Sequence, residues 1–186
     1  DPRPQPAPAG IDRRPRTTLP AGRLMPADKI VRVADFAAAV SGDQLITLGL
    51  GSCVAIALYD STAKIGGLAH VLLPSLSLGR RGSENPAKFP QSAIPALLAE
   101  MTALGAEKRR ITARLIGGAS MFANLAPPGS MQMGERNVVA TREVLNQHGI
   151  PVVGEAVGGD FGRSVHFAVA DGRIRVRSVA HGDQNL

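Results

Sequence analysis

The segment Thr47-Leu48-Gly49-Leu50-Gly51-Ser52-Cys53 concentrates the chemistry that this chain can offer. Gly49, Gly51 and Ser52 crowd a sharp turn between two apolar runs, and the turn presents Cys53, the one cysteine in the sequence. Small residues leave backbone N–H groups unobstructed, so such a turn can aim them at an anion and form an oxyanion hole. A thiol beside it has the two things that acyl transfer from an amide requires, a soft nucleophile and donors for the tetrahedral oxyanion. The nucleophile needs a base, and His70 follows on the next strand, close enough for a strand–turn–strand to bring the two together. A nearby imidazolium would lower the thiol's pKa and stabilise the reactive thiolate. The same ring would then protonate the leaving nitrogen. Thr47, at the entrance of the turn, can accept from the distal ring nitrogen through its hydroxyl and so fix the imidazole.

Each of these residues also has a structural reading. A lone cysteine in an apolar neighbourhood is most often an inert small hydrophobe. His70, flanked by Leu-Ala and Val-Leu-Leu-Pro, reads as a satisfied structural histidine, and Thr47 as an ordinary β-branched strand residue. His148, His166 and His181 show no metal-ligand spacing with cysteine or acidic residues, so no metal site is expected. The Gly-Leu-Gly-Ser-Cys turn lacks the Gly-Lys-Ser/Thr ending of a phosphate loop and the full GxGxxG pattern, which argues against a nucleotide cofactor.

The elements that must position the turn are legible around it. Residues 45–50 and 54–60 are β-rich and flank it, and 65–73 is a third strand whose Gly66-Gly67 pair suggests a bulge. A polar loop over 75–88 follows. Ile94, Leu97, Leu98, Met101 and Leu104 recur at helical spacing, with Pro90 and Pro95 restricting the start and Gly105 placed to end the helix. Residues 111–116 return as a strand leading into the Gly-rich run 117–122. Asn137 reads as the N-cap of a second helix ending at Gly149, with Val138, Thr141, Leu145 and His148 along one stripe. Residues 151–157, 164–169 and 173–179 complete the strands, the last two joined by an Asp171-Gly172 hairpin signal. Two helices against about seven strands give an α+β layered domain.

At 186 residues the chain is long enough for one domain with a real core, and 44% hydrophobic with 19% charged residues is a globular composition. Seven of the 14 prolines fall in residues 1–26, with five arginines against two aspartates in residues 1–23. Residues 1–28 therefore read as a disordered leader, 29–180 as the folded domain and 181–186 as a flexible tail. The net charge of +6 is not arranged with aromatics as base-stacking surfaces are, so no nucleic-acid partner is expected. No apolar run is long enough to cross a bilayer, and one cysteine suits a reducing cytoplasm.

The blocks TLGLGSCVAIALYD, GGLAHVLLP, GGASMF and MGERN, in that order, resemble the CheD family of chemoreceptor glutamine deamidases over about residues 29–179. The resemblance implies a layered α/β sandwich with mixed sheets, similar to bacterial toxin deamidases. It implies a hydrolase that converts selected glutamines on the cytoplasmic helices of chemotaxis receptors to glutamate, without metal or cofactor. It also implies a Cys-His-Thr triad, which falls on Cys53, His70 and Thr47, with Gly51, Ser52, Gly117 and Gly118 as candidates for the oxyanion and substrate site. A CheC-type phosphatase is an expected partner of such proteins. A docking module without catalysis and a receptor methylesterase side activity are the alternative readings. Ala156 and Gln91 stand where the family commonly carries acidic residues.

Overall fold

The computed structural model describes residues 26–78, 85–121, 125, 127 and 129–186. Among them two five-stranded mixed sheets stack face to face, and two helices cover the outer face of one sheet. The first sheet contains β1 (Asp28–Ile30), β3 (Gln44–Leu50), β8 (Arg163–Ala168), β9 (Ile174–Ser178) and β10 (Gly182–Asn185), in that spatial order. The second runs β2 (Asp35–Val40), β5 (Ile65–Val71), β4 (Val54–Asp60), β6 (Ile111–Gly117) and β7 (Val152–Val157). Helices α1 (Pro90–Ala103) and α2 (Met133–Gln147) lie on this second sheet, and α2 is the crossover joining the parallel strands β6 and β7. The α+β layered architecture expected from the sequence is the one found, with ten strands where about seven were legible.

The layering explains the sequence pattern. Strands β4 and β5 are buried at every position, because one face meets the first sheet and the other meets the helices. Val54, Ile56 and Leu58 pack toward Ile94, Leu97, Met101 and Leu145 of the helices. Ala55, Ala57 and Leu68 face Leu45, Val165, Phe167 and Val176 across the inter-sheet layer. A strand covered on both faces reads as a continuous apolar run rather than an alternation. Strands β8 and β9, which cover the core with one face only, alternate as expected.

Five expectations are corrected. Gly66 and Gly67 make no bulge: β5 pairs in unbroken register with β2 and β4. They are glycines because a Cβ on Gly66 would stand 3.0 Å from the Phe167 ring, and one on Gly67 2.7 Å from the Met101 sulfur. The bulge lies instead in β3, between Thr47 and Leu50, where Gly49 takes φ +71°. Asn137 is not an N-cap. Helix α2 begins one turn earlier, at Met133, with Gln132 as a cap that makes no side-chain hydrogen bond. Leu104 caps the end of α1 and is 40% exposed rather than part of the buried stripe. Residues 182–185, read as tail, form β10 by antiparallel pairing with β9. Of the expected leader, residues 1–25 lie outside the described residues, and Asp28 already belongs to β1.

Candidate active site

The bulge in β3 brings the first piece of the site together. Thr47, the last residue before the register shift, is fully buried and points into the layer between the sheets. From the opposite sheet, His70 enters the same layer, also fully buried. Its Nδ1 lies 2.8 Å from Thr47 Oγ1, and Thr47 Oγ1 lies 2.6 Å from the carbonyl oxygen of Val31. These two contacts fix the tautomer. A carbonyl can only accept, so the hydroxyl's single proton goes to Val31, and Thr47 must accept from His70 Nδ1–H. The proton of the neutral ring is thereby placed on Nδ1, and Nε2 carries the free lone pair. Nε2 is buried and has no hydrogen-bond partner.

Cys53 directly precedes β4 and belongs to the inter-sheet layer with Ala55. Ala55 is the β4 partner of His70 in the β4–β5 ladder. Cys53, two residues before Ala55 on the same face, is thus the diagonal neighbour of His70 on adjacent strands, a relation within reach of a ring and a sulfur. The structure brings all three sequence-derived triad residues into one buried neighbourhood. Burial raises the Cys53 thiol's pKa, opposed by the hydrogen bond from its own backbone amide. Burial also lowers the His70 imidazole to about 4. The sequence reading anticipated an imidazolium–thiolate pair, whereas burial disfavours the charged form of each group. A neutral His70 with an available Nε2 is instead set to take a proton during attack.

The loops around Cys53 are locked by backbone hydrogen bonds. Gly118 N–H donates to Cys53 O (2.7 Å) and Ala119 N–H to Gly51 O (2.8 Å), while Gly158 N–H donates to Gly117 O (2.9 Å). A Cβ on Gly117 would lie 2.4 Å from Cys53 O, and one on Gly118 2.4 Å from Val138. Gly117 and Gly118 thus serve close backbone approach, and the Gly118 amide is already spent on Cys53. The Met121 sulfur rests on Gly51, 3.0 Å from where a Cβ would stand. Ala156 sits in the inter-sheet core, and Gln91 donates from Nε2 to Pro74 O (2.9 Å), so neither reaches the Thr47–His70 pair through a recorded contact.

One residue escaped the sequence reading. Asn137, fully buried in α2, donates from Nδ2 to Ser52 O (2.8 Å) and to Leu72 O (3.2 Å). The signal for it was a polar side chain four residues before Thr141 in the buried stripe, where an N-cap has no reason to be. Among the described residues no group of three or more His, Cys, Asp or Glu is placed to hold a metal ion, and no helix is long and apolar enough to cross a membrane.

Comparison with known proteins places the chain in a family. The sequence model of the family described as CheD chemotactic sensory transduction matches residues 72–178. A probable chemoreceptor glutamine deamidase CheD of Caldanaerobacter subterraneus is 45% identical over 156 residues, covering 83% of this chain and 96% of that protein. One of Clostridium novyi is 45% identical over 152 residues, covering 82% and 93%. A CheD 2 of Geobacter metallireducens is 47% identical over 135 residues, covering 73% and 83%. The family match starts just beyond His70, but a span of 156 residues within 186 has to include Thr47, Cys53 and His70. The chain belongs to the CheD family of chemotactic sensory transduction proteins.

Proposed function

We propose that this protein is a cytoplasmic chemoreceptor glutamine deamidase in which Cys53 is the nucleophile, His70 the general base and acid, and Thr47 the group that orients His70. The observation that carries the reading is the Val31–Thr47–His70 chain of hydrogen bonds, which leaves a buried and unpartnered Nε2 on the same face as the thiol. A histidine kept for packing alone would bury that nitrogen at a cost of about 1–3 kcal/mol with no return.

The reaction follows from this geometry. As the Cys53 sulfur bonds to the side-chain amide carbon of a receptor glutamine, the thiol proton passes to His70 Nε2. The tetrahedral adduct collapses with cleavage of the carbon–nitrogen bond, and His70 returns its proton to the departing ammonia. Water then attacks the thioester while His70 takes one of its protons. Cleavage of the carbon–sulfur bond frees the carboxylic acid, which ionises to glutamate by giving its proton to the released ammonia or to solvent, and the proton on His70 goes back to the thiolate. The receptor gains a negative charge where a neutral amide stood.

The test is an ammonia-release assay on a receptor cytoplasmic fragment, run with wild type and Cys53→Ala. Release by wild type and none by the folded variant supports the reading, whereas release by Cys53→Ala removes the thiol from the mechanism. A fragment carrying methylated glutamate in place of glutamine measures the ester side activity through release of methanol, since an ester yields no ammonia.

A further inference from the structure

We propose that Asn137 is a positioning residue which holds the backbone amide of Cys53 as an oxyanion donor. This rests on Cys53 being the nucleophile. The peptide between Ser52 and Cys53 is trans, so its C=O and N–H point in opposite directions. Asn137 Nδ2 grips the C=O end at 2.8 Å. With the carbonyl pinned toward α2, the N–H is turned away from the helix, and as the nucleophile's own backbone amide it lies beside the sulfur. An oxygen on the carbon that this sulfur attacks forms within reach of that amide. As the carbon–sulfur bond forms, the carbonyl electron pair moves onto that oxygen, and the Cys53 N–H meets the charge with no reorganisation.

The second hydrogen of Asn137 Nδ2 goes to Leu72 O (3.2 Å), two residues beyond His70. One side chain therefore ties the backbone just before the nucleophile to the backbone just after the base. Both acceptors are carbonyls, so the amide cannot be turned over without losing both bonds. Asn137 Oδ1 is left buried without a partner. A buried amide that leaves its oxygen unpartnered in order to make two donations is placed for those donations, and a helix that needed only packing here would carry leucine.

The experiment compares two reactions of one thiol. Amide hydrolysis needs the thiol, its base and the oxyanion donor, whereas alkylation of Cys53 by a small haloacetamide needs the thiol and its base but no oxyanion donor. Asn137→Leu keeps the branched outline and suits a helix while removing both donors, and Asn137→Ala serves if the bulkier leucine variant does not fold. The expected result is a kcat for receptor-fragment deamidation lowered by about 10- to 10³-fold. KM and the alkylation rate should stay within about threefold of wild type, well below the change that loss of an oxyanion donor brings. A parallel fall of deamidation and alkylation, or a kcat within about threefold of wild type, overturns the inference. Cys53→Ala run alongside separates the two levels: if that variant still deamidates, the nucleophile assignment fails, and with it the premise.

Discussion

Thr47 has one proton and gives it to Val31, and everything else at the centre of the site follows from that. His70 must donate from Nδ1, Nε2 must be bare, and Nε2 is the atom that no other residue occupies. Thr47→Val keeps the shape but removes the acceptor, leaving a buried Nδ1–H unsatisfied and the ring free to choose the wrong tautomer. Deamidation should fall by about 10- to 100-fold in kcat, less than for His70→Ala, which removes the base itself. A Thr47→Val variant more damaging than His70→Ala would reverse the assigned roles. The same burial gives a stability signature. The ordinary histidine value is 6.5 and the folded value about 4, so folding favours the neutral ring. Its contribution is whole above pH 6.5, declines as pH falls below that value, and is gone below about 4. Wild-type Tm should therefore drop across this window, and His70→Gln should drop less. Equal slopes for the two would show that His70 is not the buried neutral group described.

At the scale of elements, the site depends on how closely α2 approaches the loop after β6. A Cβ on Gly134 would lie 2.4 Å from the carbonyl oxygens of both Gly118 and Ala119, which are backbone atoms and cannot fold aside. Gly134→Ala must push the helix start outward, and Asn137 sits one turn further along the same helix. We expect it to lower Tm and to cut deamidation at least about tenfold, since sub-ångström displacements near a reacting centre are costly. Gly154→Ala, which meets nothing closer than 3.4 Å, is the matched control and should keep both properties.

The same contact explains what the sequence could and could not disclose. The central strands and both helices were legible because burial imposes apolar runs and helical spacing on them. The start of α2 was not, because it is set by a backbone approach at Gly134 rather than by a capping side chain, and Asn137 looks locally like a cap. Gly66 and Gly67 mimic a bulge for a similar reason: what they avoid, Phe167 and Met101, is distant in the chain. The residues proposed as the triad could be named from their types and order, but the Val31 carbonyl that fixes the tautomer leaves no trace in any side chain.

For the molecule as a whole, the two sheets divide the labour: one carries Thr47, the other His70 with Cys53 just before β4, and the proposed reaction centre lies where they face each other. The edges of the sandwich matter less to it. Strand β10 is exposed along its length, although Leu186 beyond it packs on the inter-sheet core. Its polar Gly-Asp-Gln-Asn sequence pairs with β9 through the backbone ladder and an exposed Arg177–Asp183 ion pair (3.3 Å), which is why no apolar pattern announced it. Removing residues 182–186 should lower Tm by a few degrees and leave kcat unchanged, as thermal melting and the ammonia assay would show. A loss of activity at unchanged Tm would instead place this edge in the substrate site.

The most direct measurement is mass spectrometry of a receptor cytoplasmic fragment after incubation with this protein and, separately, with Cys53→Ala. A gain of about one dalton at particular glutamines with the wild type alone, as replacement of an amide by a carboxyl through this thiol requires, is the predicted result. An unchanged mass with wild type that folds and binds the fragment would contradict the account and leave a docking domain in its place.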